Sequence, residues 1–465
     1  MSRTVEFFYE ISKIPRESGN EAGIAEYLCD FAKKRNLFYV KDEYNNVIIK
    51  KKNSEKESII LQAHTDMICE KEEGKVFDFK TDSIDVYEEN GFLKANGTTL
   101  GADNGIGVAQ ILNILDDDSI KCNVEAVFTA TEETTMVGAE KIDISNLKSK
   151  KMINLDGFEE STIIKESTCF YDIILNLNYE YEDINIEDEE HIYEIVLKGL
   201  KGGHSGFDIG KDRGNSSKEL ACLLKNISNI KIIDFLGGTK FNVIPSSAKV
   251  VFVSTECKEI VEKEVLKFLN HRKKSFENLE IKLEEKNKEN FNDYLYCLNT
   301  ENTNSFLNVI LTFSHGVFKR NSKDEVTTSI NLGVVDLKNK LFKVGMRSSR
   351  KREEKECLEY IYEFSRENNL VVDILGSQPG FETKSSSEFL RLIKDAYKSV
   401  GNPNELKVKS VHITVEAGFF KEKIEDLEIA IISPKIENAH TTEECVEIES
   451  VNRCDKWIRN VIEDL

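Results

Sequence analysis

Acidic and histidine side chains directly follow apolar, strand-like segments in the first part of the chain. The segments and the side chains that follow them are 59–63 with His64 and Asp66, 124–129 with Glu132 and Glu133, and 151–155 with Asp156. The strands of an open α/β sheet bring their carboxyl ends to one edge, so these groups are expected to converge. Carboxylate oxygens and imidazole nitrogens are ligands for divalent metal ions, and the pattern therefore favours a metal site.

A glycine-rich segment, GADNGIG at residues 101–107, adds a further carboxylate, Asp103. It is not a phosphate-binding loop, because it lacks the GK[ST] ending and has Gln110 where the G-x-G-x-x-G spacing requires glycine. A carboxylate among glycines at a helix start would also repel phosphate. Two interpretations stay open: a loop that places Asp103 between two cations, or an aspartate that caps the helix N-terminus.

The paired glutamates and the His-x-Asp pair each have two interpretations, one as part of a metal or catalytic site and one as ordinary loop structure. Adjacent carboxylates such as Glu132 and Glu133 repel each other unless a cation neutralises at least one. One could bind metal while the other acts as general base on water, and the alternative is a solvated acidic turn. Asp66 could orient the His64 ring toward a metal, and the alternative is a loop histidine beside a capping acid. His440, in a late loop, is a weak indication by itself.

The composition excludes several classes of protein. The 465 residues include 83 Asp+Glu against 63 Lys+Arg, a formal charge of -20, which disfavours a nucleic-acid partner. No segment approaches the roughly 18 apolar residues of a membrane span, and the N-terminus lacks the apolar core of a signal peptide. The 10 cysteines include no C-x-x-C pair, so neither a disulfide framework nor a thiolate zinc site is indicated. We therefore expect a cytoplasmic protein without a membrane partner.

Strand-like and helical segments alternate at both ends of the chain. This alternation predicts an α/β domain, a mostly parallel sheet with helices on both faces, formed by residues 1–170 and 381–465. The segment between them, 171–380, is predicted to fold as an inserted α+β domain. Near the N-terminus, Ser18 and Glu21 have the spacing of a capping box and predict a helix start.

Considered in order, these motifs define a recognisable set. They are LQAHTDM (61–67), GTTLGADNGIG (97–107), TEE (131–133), NLD (154–156), GGHSG (202–206) and the late His440. The set resembles the aminoacyl-histidine dipeptidases (PepD-like, Xaa-His dipeptidases) of the M20 metallopeptidase family. The resemblance extends over nearly the whole chain, and TLGADNGIG is its most specific part.

The resemblance implies a dinuclear metal centre with a role for each candidate residue. The implied roles are His64 and Asp156 as ligands of one ion, Glu133 and His440 as ligands of the other, Asp103 as the bridge, Asp66 as the residue that orients His64, and Glu132 as the general base. Nitrogen and oxygen ligands without thiolate suit two zinc ions, with manganese or cobalt as alternatives. A hydroxide that bridges the two ions would attack the scissile carbonyl.

In this family the inserted domain is a lid over the active site. The resemblance implies that His204 stabilises the oxyanion of the transition state and that Asn242 contacts the substrate. It also implies that Arg347 binds the substrate carboxylate, for which the guanidinium fork is suited. For Arg347 the alternative is a surface arginine that follows a strand.

The sequence therefore predicts a cytoplasmic metallodipeptidase that hydrolyses dipeptides, of the Xaa-His type and more broadly. Alternatives are another M20-type hydrolase, either a tripeptidase or an N-acyl amino acid deacylase, and a non-catalytic, metal-stabilised scaffold that binds peptides. The uncoordinated acid Glu132 argues against the scaffold. A monomer and a homodimer both stay open. Departures from the family pattern after Asp156 and at Thr414 and Ala417 concern the preferred substrate side chains more than hydrolysis.

Overall fold

The chain folds into two compact units. The computed structural model describes residues 2–52, 57–183, 190–287 and 296–465. The first unit comprises Met1–Ser167, Pro379–Val411 and Val415–Leu465, and the second comprises Thr168–Gln378 and His412–Thr414. The second unit thus includes a short segment, 412–414, that lies beyond the insertion predicted at 171–380. The function of that insertion as a lid stays a prediction.

Both units contain helices and strands. The helices are α1 (Arg3–Ile11), α2 (Ala22–Lys34), α3 (Ala102–Asp116), α4 (Val137–Lys141), α5 (Ser216–Leu224), α6 (Lys258–Arg272), α7 (Thr300–Thr312), α8 (Lys351–Glu367), α9 (Glu388–Lys398), α10 (Ala417–Lys423) and α11 (Ile448–Glu463). The strands are β1 (Phe38–Lys41), β2 (Val47–Lys51), β3 (Ser58–His64), β4 (Val86–Glu89), β5 (Phe92–Ala95), β6 (Asn123–Thr129), β7 (Lys151–Asn154), β8 (Thr162–Glu166), β9 (Cys169–Leu177), β10 (Tyr181–Asp183), β11 (His191–Lys198), β12 (Gly203–His204), β13 (Ile230–Gly238), β14 (Val243–Ile244), β15 (Ala248–Ser254), β16 (Glu280–Lys286), β17 (Tyr296–Leu298), β18 (Gly316–Arg320), β19 (Val326–Asp336), β20 (Leu341–Ser348), β21 (Leu370–Gln378), β22 (Lys407–Ser410), β23 (Glu428–Ile431), β24 (Ile436–Glu437) and β25 (Cys445–Glu447).

The first unit is built on an eight-stranded sheet in the order β1-β2-β6-β3-β7-β23-β8-β22. Its central strands β6, β3, β7 and β23 are parallel, and β3 ends with His64 opposite Thr129 of β6. In β3 every residue after Ser58 is buried, whichever face it points to. A strand buried on both faces is typical of a parallel sheet that is covered on both sides. The predicted mostly parallel α/β fold is confirmed.

Helices α1, α3, α9 and α11 pack against one another and share one hydrophobic core with the sheet. A second pair, α4 and α10, packs together, and α10 contacts β23. Helix α3 is buried along nearly all its length, and its buried polar side chains Gln110 and Asn113 donate hydrogen bonds to Asp455 of α11. It begins after Gly101, whose φ of 69° lies in the left-handed region that favours glycine.

The capping box predicted for Ser18 and Glu21 is wrong. Helix α2 begins at Ala22, and its N-cap residue Glu21 makes no side-chain capping hydrogen bond. Instead, the Ser18 hydroxyl donates to Asp66 Oδ2 at 2.6 Å. Glu21 Oε1 accepts from the backbone N–H of Thr131 at 3.2 Å. Both side chains therefore bind the loops that follow β3 and β6, and these tertiary contacts override the local capping signal.

The second unit contains a nine-stranded antiparallel sheet. Its strands run in the order β16-β11-β15-β13-β19-β20-β9-β21, and β18 pairs with β19. Buried side chains from α5, α6, α7 and α8 pack on this sheet in a core of their own. At its centre, the Phe306 ring lies 5.5 Å from that of Phe235 and 5.9 Å from that of Phe342. Among the described residues, no helix has the length and apolar character needed to cross a membrane.

Candidate metal centre

The candidate metal residues lie at the ends of strands and helices, or in the loops that follow them, at one edge of the first unit's sheet. His64 is the last residue of β3, Asp156 lies just beyond the end of β7, and Glu133 follows β6. Asp103 lies in the first turn of α3, where its φ and ψ of -79° and 109° depart from helical values. His440 lies between β24 and β25 with a φ of 66°. Loops that follow parallel strands meet at this edge because the strands share a direction.

The Asp103 carboxylate lies between the two histidines. Its Oδ1 is 3.0 Å from His64 Nε2, and its Oδ2 is 2.9 Å from His440 Nε2. Asp156 Oδ1 lies 3.7 Å from His64 Nε2, and Glu133 Oε1 lies 3.1 Å from His440 Nε2. Two compact groups of possible ligands therefore share Asp103: His64, Asp103 and Asp156, and Asp103, Glu133 and His440.

The chemistry of the donors fits divalent cations. Each group offers one imidazole nitrogen and carboxylate oxygens, the donor set of hydrolytic zinc sites. His64 and Asp103 are almost completely buried, with 1% and 5% of their surface exposed. Buried carboxylates that outnumber their positive partners are costly unless cations neutralise them. The arrangement therefore suits two ions, with the shared carboxylate between them.

The short distances between these histidines and carboxylates strongly shift their pKa values. Burial lowers the pKa of His64, but its hydrogen bonds with Asp103, Asp156 and Asp66 outweigh burial and raise that pKa well above its ordinary value. Hydrogen bonds with Asp103 and Glu133 raise the pKa of His440 to about 10. Burial raises the pKa of Asp103, and hydrogen bonds from both histidines outweigh it and hold that pKa far below its ordinary value. Positive charge on the two histidines thus stabilises the negative charge of the Asp103 carboxylate between them.

Glu132 lies beside these two groups and belongs to neither. It forms a further compact group with His64 and Glu133. Burial, and after it the charge of Asp156, raises the pKa of Glu132 well above its ordinary value. A carboxylate with a raised pKa has gained basicity, which is the property that proton transfer at neutral pH requires.

Asp66 holds the turn that carries the two glutamates. Its Oδ1 accepts from the backbone N–H of Glu132 at 3.0 Å, and its Oδ2 accepts from that of Glu133 at 3.1 Å. His64 Nδ1 lies 3.2 Å from the Asp66 backbone oxygen and 3.5 Å from its Oδ1. Asp66 therefore contacts the His64 ring and also fixes the backbone of both glutamates. Only the first of these contacts was predicted from the sequence.

A chain of buried polar side chains leads from the Asp156 backbone to Glu416. The Asp156 backbone N–H donates to Asn154 Oδ1 at 3.0 Å, and the Asn154 amide donates to Gln62. Gln62 in turn donates to Glu416, which also accepts from the Thr129 hydroxyl at 2.8 Å. This network was not predicted from the sequence. The sequence signal for it is Gln62, a polar residue inside an otherwise apolar strand.

The second unit brings the other three predicted site residues together. His204 of β12 pairs with Val243 of β14, and the Ser205 backbone N–H donates to the Asn242 carbonyl at 2.8 Å. Arg347 of β20 donates through Nε to Ser205 Oγ at 3.2 Å. His204, Asn242 and Arg347 are thus linked through one short segment.

Arg347 is buried within β20, with 4% of its surface exposed, so its interpretation as a surface arginine is wrong. Its Nη1 donates to Thr414 Oγ1 at 3.0 Å, and its guanidinium lies 4.3 Å from the centre of the Phe170 ring. Burial lowers the pKa of Arg347 to about 10. Thr414 therefore supplies a hydroxyl partner that the sequence did not identify.

The family comparison identifies the chain as a peptidase. The family model described as Peptidase family M20/M25/M40 matches residues 60–464, and the chain belongs to this family. The chain is 30% identical to the cytosol non-specific dipeptidase of Escherichia coli (strain K12) over 464 residues, which cover 96% of this chain and 94% of that protein.

Solved structures show the same fold. The crystal structure of aminoacylhistidine dipeptidase from Vibrio alginolyticus matches with a TM-score of 0.86 and 25% identity, over 100% of this chain and 96% of that chain. A tripeptidase from Staphylococcus aureus matches with a TM-score of 0.56 and 13% identity, over 99% of this chain and 97% of that chain. The second likeness concerns the fold alone.

Proposed function

We propose that this chain hydrolyses dipeptides with free termini, Xaa-His dipeptides among them, at a dinuclear metal centre in the cytosol. The observation that carries the proposal is the Asp103 carboxylate, which has one oxygen beside His64 and the other beside His440. A carboxylate shared by two nitrogen and oxygen ligand groups suits a two-metal hydrolytic site. The names of two relatives, a cytosol non-specific dipeptidase and an aminoacylhistidine dipeptidase, support the substrate class and the compartment.

The same residues define which side chains would hold the ions. His64 and Asp156 would bind one divalent cation, Glu133 and His440 the other, and Asp103 both. Zinc suits these donors, and manganese and cobalt are alternatives. When bound, two such cations lower the pKa of water and polarise a peptide carbonyl.

Glu132 is proposed as the general base. It would accept a proton from the attacking water and deliver that proton to the nitrogen of the leaving amine. Its raised pKa favours the first step, because a more basic carboxylate gains the proton more readily, and the leaving amine is basic enough to take that proton back. Asp66, which binds the backbone N–H groups of Glu132 and Glu133, would keep one glutamate on the metal side and the other free for proton transfer.

His204 is proposed to stabilise the oxyanion that forms on the peptide carbonyl. Burial, and after it the charge of Arg347, lowers the pKa of His204 to about 4, so the ring is neutral at pH 7. Its Nδ1 accepts from the Gly206 backbone N–H at 3.2 Å, which places the ring proton on Nε2. A neutral imidazole with a free Nε2–H is a suitable donor to an oxyanion.

Arg347 is proposed to bind the C-terminal carboxylate of the substrate, and Asn242 to contact the same substrate. The Arg347 guanidinium is buried, and its hydrogen bonds to Ser205 and Thr414 go to neutral hydroxyls. A buried guanidinium with neutral partners gains most from a carboxylate, which it can bind through two parallel hydrogen bonds. This preference favours substrates that end at the residue following the scissile bond.

The test is a substrate panel on the purified full-length chain, assayed after metal removal and reloading with Zn²⁺, Mn²⁺ or Co²⁺. The panel contains Xaa-His and other dipeptides, the same dipeptides with an acetylated N-terminus or an amidated C-terminus, tripeptides and N-acetyl amino acids. The Glu132→Gln variant, purified in parallel, controls for contaminating peptidases.

We expect metal-dependent cleavage of the free dipeptides, and cleavage to fall when either terminus is blocked. Preference for tripeptides would instead indicate a tripeptidase, and preference for N-acetyl amino acids a deacylase. Dipeptide binding without turnover under any of the three metals would indicate a peptide-binding scaffold and contradict the proposal.

A further inference from the structure

Arg16 connects the segment that follows His64 with the segment that precedes Asp103. It lies between α1 and α2, and only 2% of its surface is exposed. Its Nη1 donates to the backbone carbonyls of Thr65 at 3.1 Å and Asp66 at 3.3 Å, directly after His64. Its Nη2 donates to the Gly101 carbonyl, two residues before Asp103. A single rigid guanidinium thus fixes the distance between the end of β3 and the start of α3.

Glu444 holds the other side of the Asp103 loop. It is buried, with 3% of its surface exposed, and it follows His440 in the loop before β25. Its Oε2 accepts from the backbone N–H groups of Leu100 at 2.9 Å and Gly101 at 2.8 Å, and its Oε1 accepts from that of Asp103 at 3.1 Å. The segment that carries His440 is therefore bonded directly to the backbone of Asp103.

The glycines of the GADNGIG segment leave space for Arg16. A Cβ on Gly105 would lie 2.5 Å from Arg16 Nη2 and 3.2 Å from its Cζ. A Cβ on Gly101 would lie closer still to the same nitrogen. Gly101 also has a positive φ, whereas Gly105 does not, so the need for glycine at 105 is steric. The buried guanidinium thus accounts for a glycine spacing that resembles a phosphate loop.

We propose that Arg16 and Glu444 are positioning residues of the metal centre, which together hold Asp103 between His64 and His440. Arg16 binds carbonyl oxygens of the loops that carry His64 and Asp103, and Glu444 binds amides of the Asp103 loop from the segment that carries His440. Neither side chain is proposed to touch metal or substrate. The inference rests on the proposed dinuclear centre, and its test therefore measures metal binding before activity.

The first experiment compares Glu444→Gln with wild type in a zinc titration against a chromophoric chelator. The amide nitrogen of glutamine would face backbone N–H donors, so at least one of the three hydrogen bonds is lost. We expect the apparent Kd for zinc to rise by about 10- to 100-fold at both positions, the usual effect of losing a residue that orients ligands. The visible spectrum of the Co²⁺-loaded variant should also change, because the ligand geometry around the shared carboxylate relaxes.

The matched control is Glu125→Gln. Glu125 lies near the opposite end of β6, has 5% of its surface exposed, and its Oε2 accepts from the backbone N–H groups of Lys148 at 2.8 Å and Ser149 at 3.1 Å. It is therefore a second buried carboxylate that holds backbone amides in the same unit, away from the metal residues. We expect its zinc Kd and its Co²⁺ spectrum to match wild type.

The second experiment is a double-mutant cycle with Gly105→Ala and Arg16→Lys. Each single substitution should weaken zinc binding. In Gly105→Ala the new methyl group displaces the guanidinium, and in Arg16→Lys the planar guanidinium that binds both segments is lost. If glycine is needed at position 105 to leave space for Arg16, the two effects should not add, because the smaller lysine ammonium group does not clash with the methyl group. This cycle decides the question if Glu444→Gln does not fold.

The outcomes separate the two proposals. Wild-type protein that binds no divalent metal would contradict the metal centre itself. Wild type that binds zinc, with Glu444→Gln within about twofold of it, would overturn the positioning role alone. Equal losses in Glu444→Gln and Glu125→Gln would show general destabilisation and overturn it too, as would additive effects in the Gly105 and Arg16 cycle.

Discussion

Replacing Asp455 by asparagine is expected to change how the stability of the first unit depends on pH. Asp455 lies on α11, and its buried carboxylate accepts hydrogen bonds from Thr4, Gln110 and Asn113. Burial outweighs these hydrogen bonds and raises the pKa of Asp455 from 3.8 to about 6. In the unfolded chain the same carboxyl group is solvated, so folding changes its affinity for a proton.

The sign and size of this pH dependence follow from the linkage between proton binding and folding. Because the folded pKa is above the unfolded one, the folded state binds more protons between about pH 4 and pH 6, and stability falls as the pH rises through that window. A shift from 3.8 to about 6, at 1.36 kcal/mol per unit, corresponds to about 3 kcal/mol. Asp455→Asn removes this titration. Its free energy of unfolding relative to wild type should therefore rise by about 2 to 3 kcal/mol from pH 4 to pH 7.

The chain offers a direct probe for this measurement. Its single tryptophan, Trp457, is buried on α11 close to Asp455, so its fluorescence reports unfolding of the first unit. Urea unfolding at several pH values, with chelator present throughout, excludes effects of metal loss in acid. Asn460→Ser on the same helix changes no titratable group, and its difference from wild type should not vary with pH. Parallel pH profiles for Asp455→Asn and wild type would refute the reasoning.

Three further predictions concern the site. Glu132→Gln should keep its metal content while kcat falls by roughly 10²- to 10⁴-fold, and metal analysis showing an empty site would mean that the two glutamates have exchanged roles. Asp103→Ala should weaken both metal positions in a zinc titration, because the shared ligand is lost, and selective loss of one position would contradict bridging. His204→Ala should lower kcat by about 10²- to 10³-fold with little change in KM, and steady-state kinetics within about twofold of wild type would rule out an oxyanion role.

Local signals predicted the elements of the first unit well. The apolar segment after Asp103 forms α3, and the runs before His64, Glu132 and Asp156 form β3, β6 and β7. These predictions succeeded because helical periodicity and short apolar runs depend on neighbouring residues. The capping box at Ser18 failed for the opposite reason, since a distant carboxylate, Asp66, binds the hydroxyl that would have capped the helix.

The sequence by itself determined the family resemblance, the mostly parallel sheet and the types of donor at its edge. The tertiary structure decided which donor meets which atom. Asp103 lies beside a histidine 337 positions away in the chain, and Arg16 and Glu444 contact its loop from opposite ends of the sequence. Side-chain chemistry is a local property, whereas the contacts of a buried group depend on how distant segments pack, and a single sequence contains no direct record of that packing.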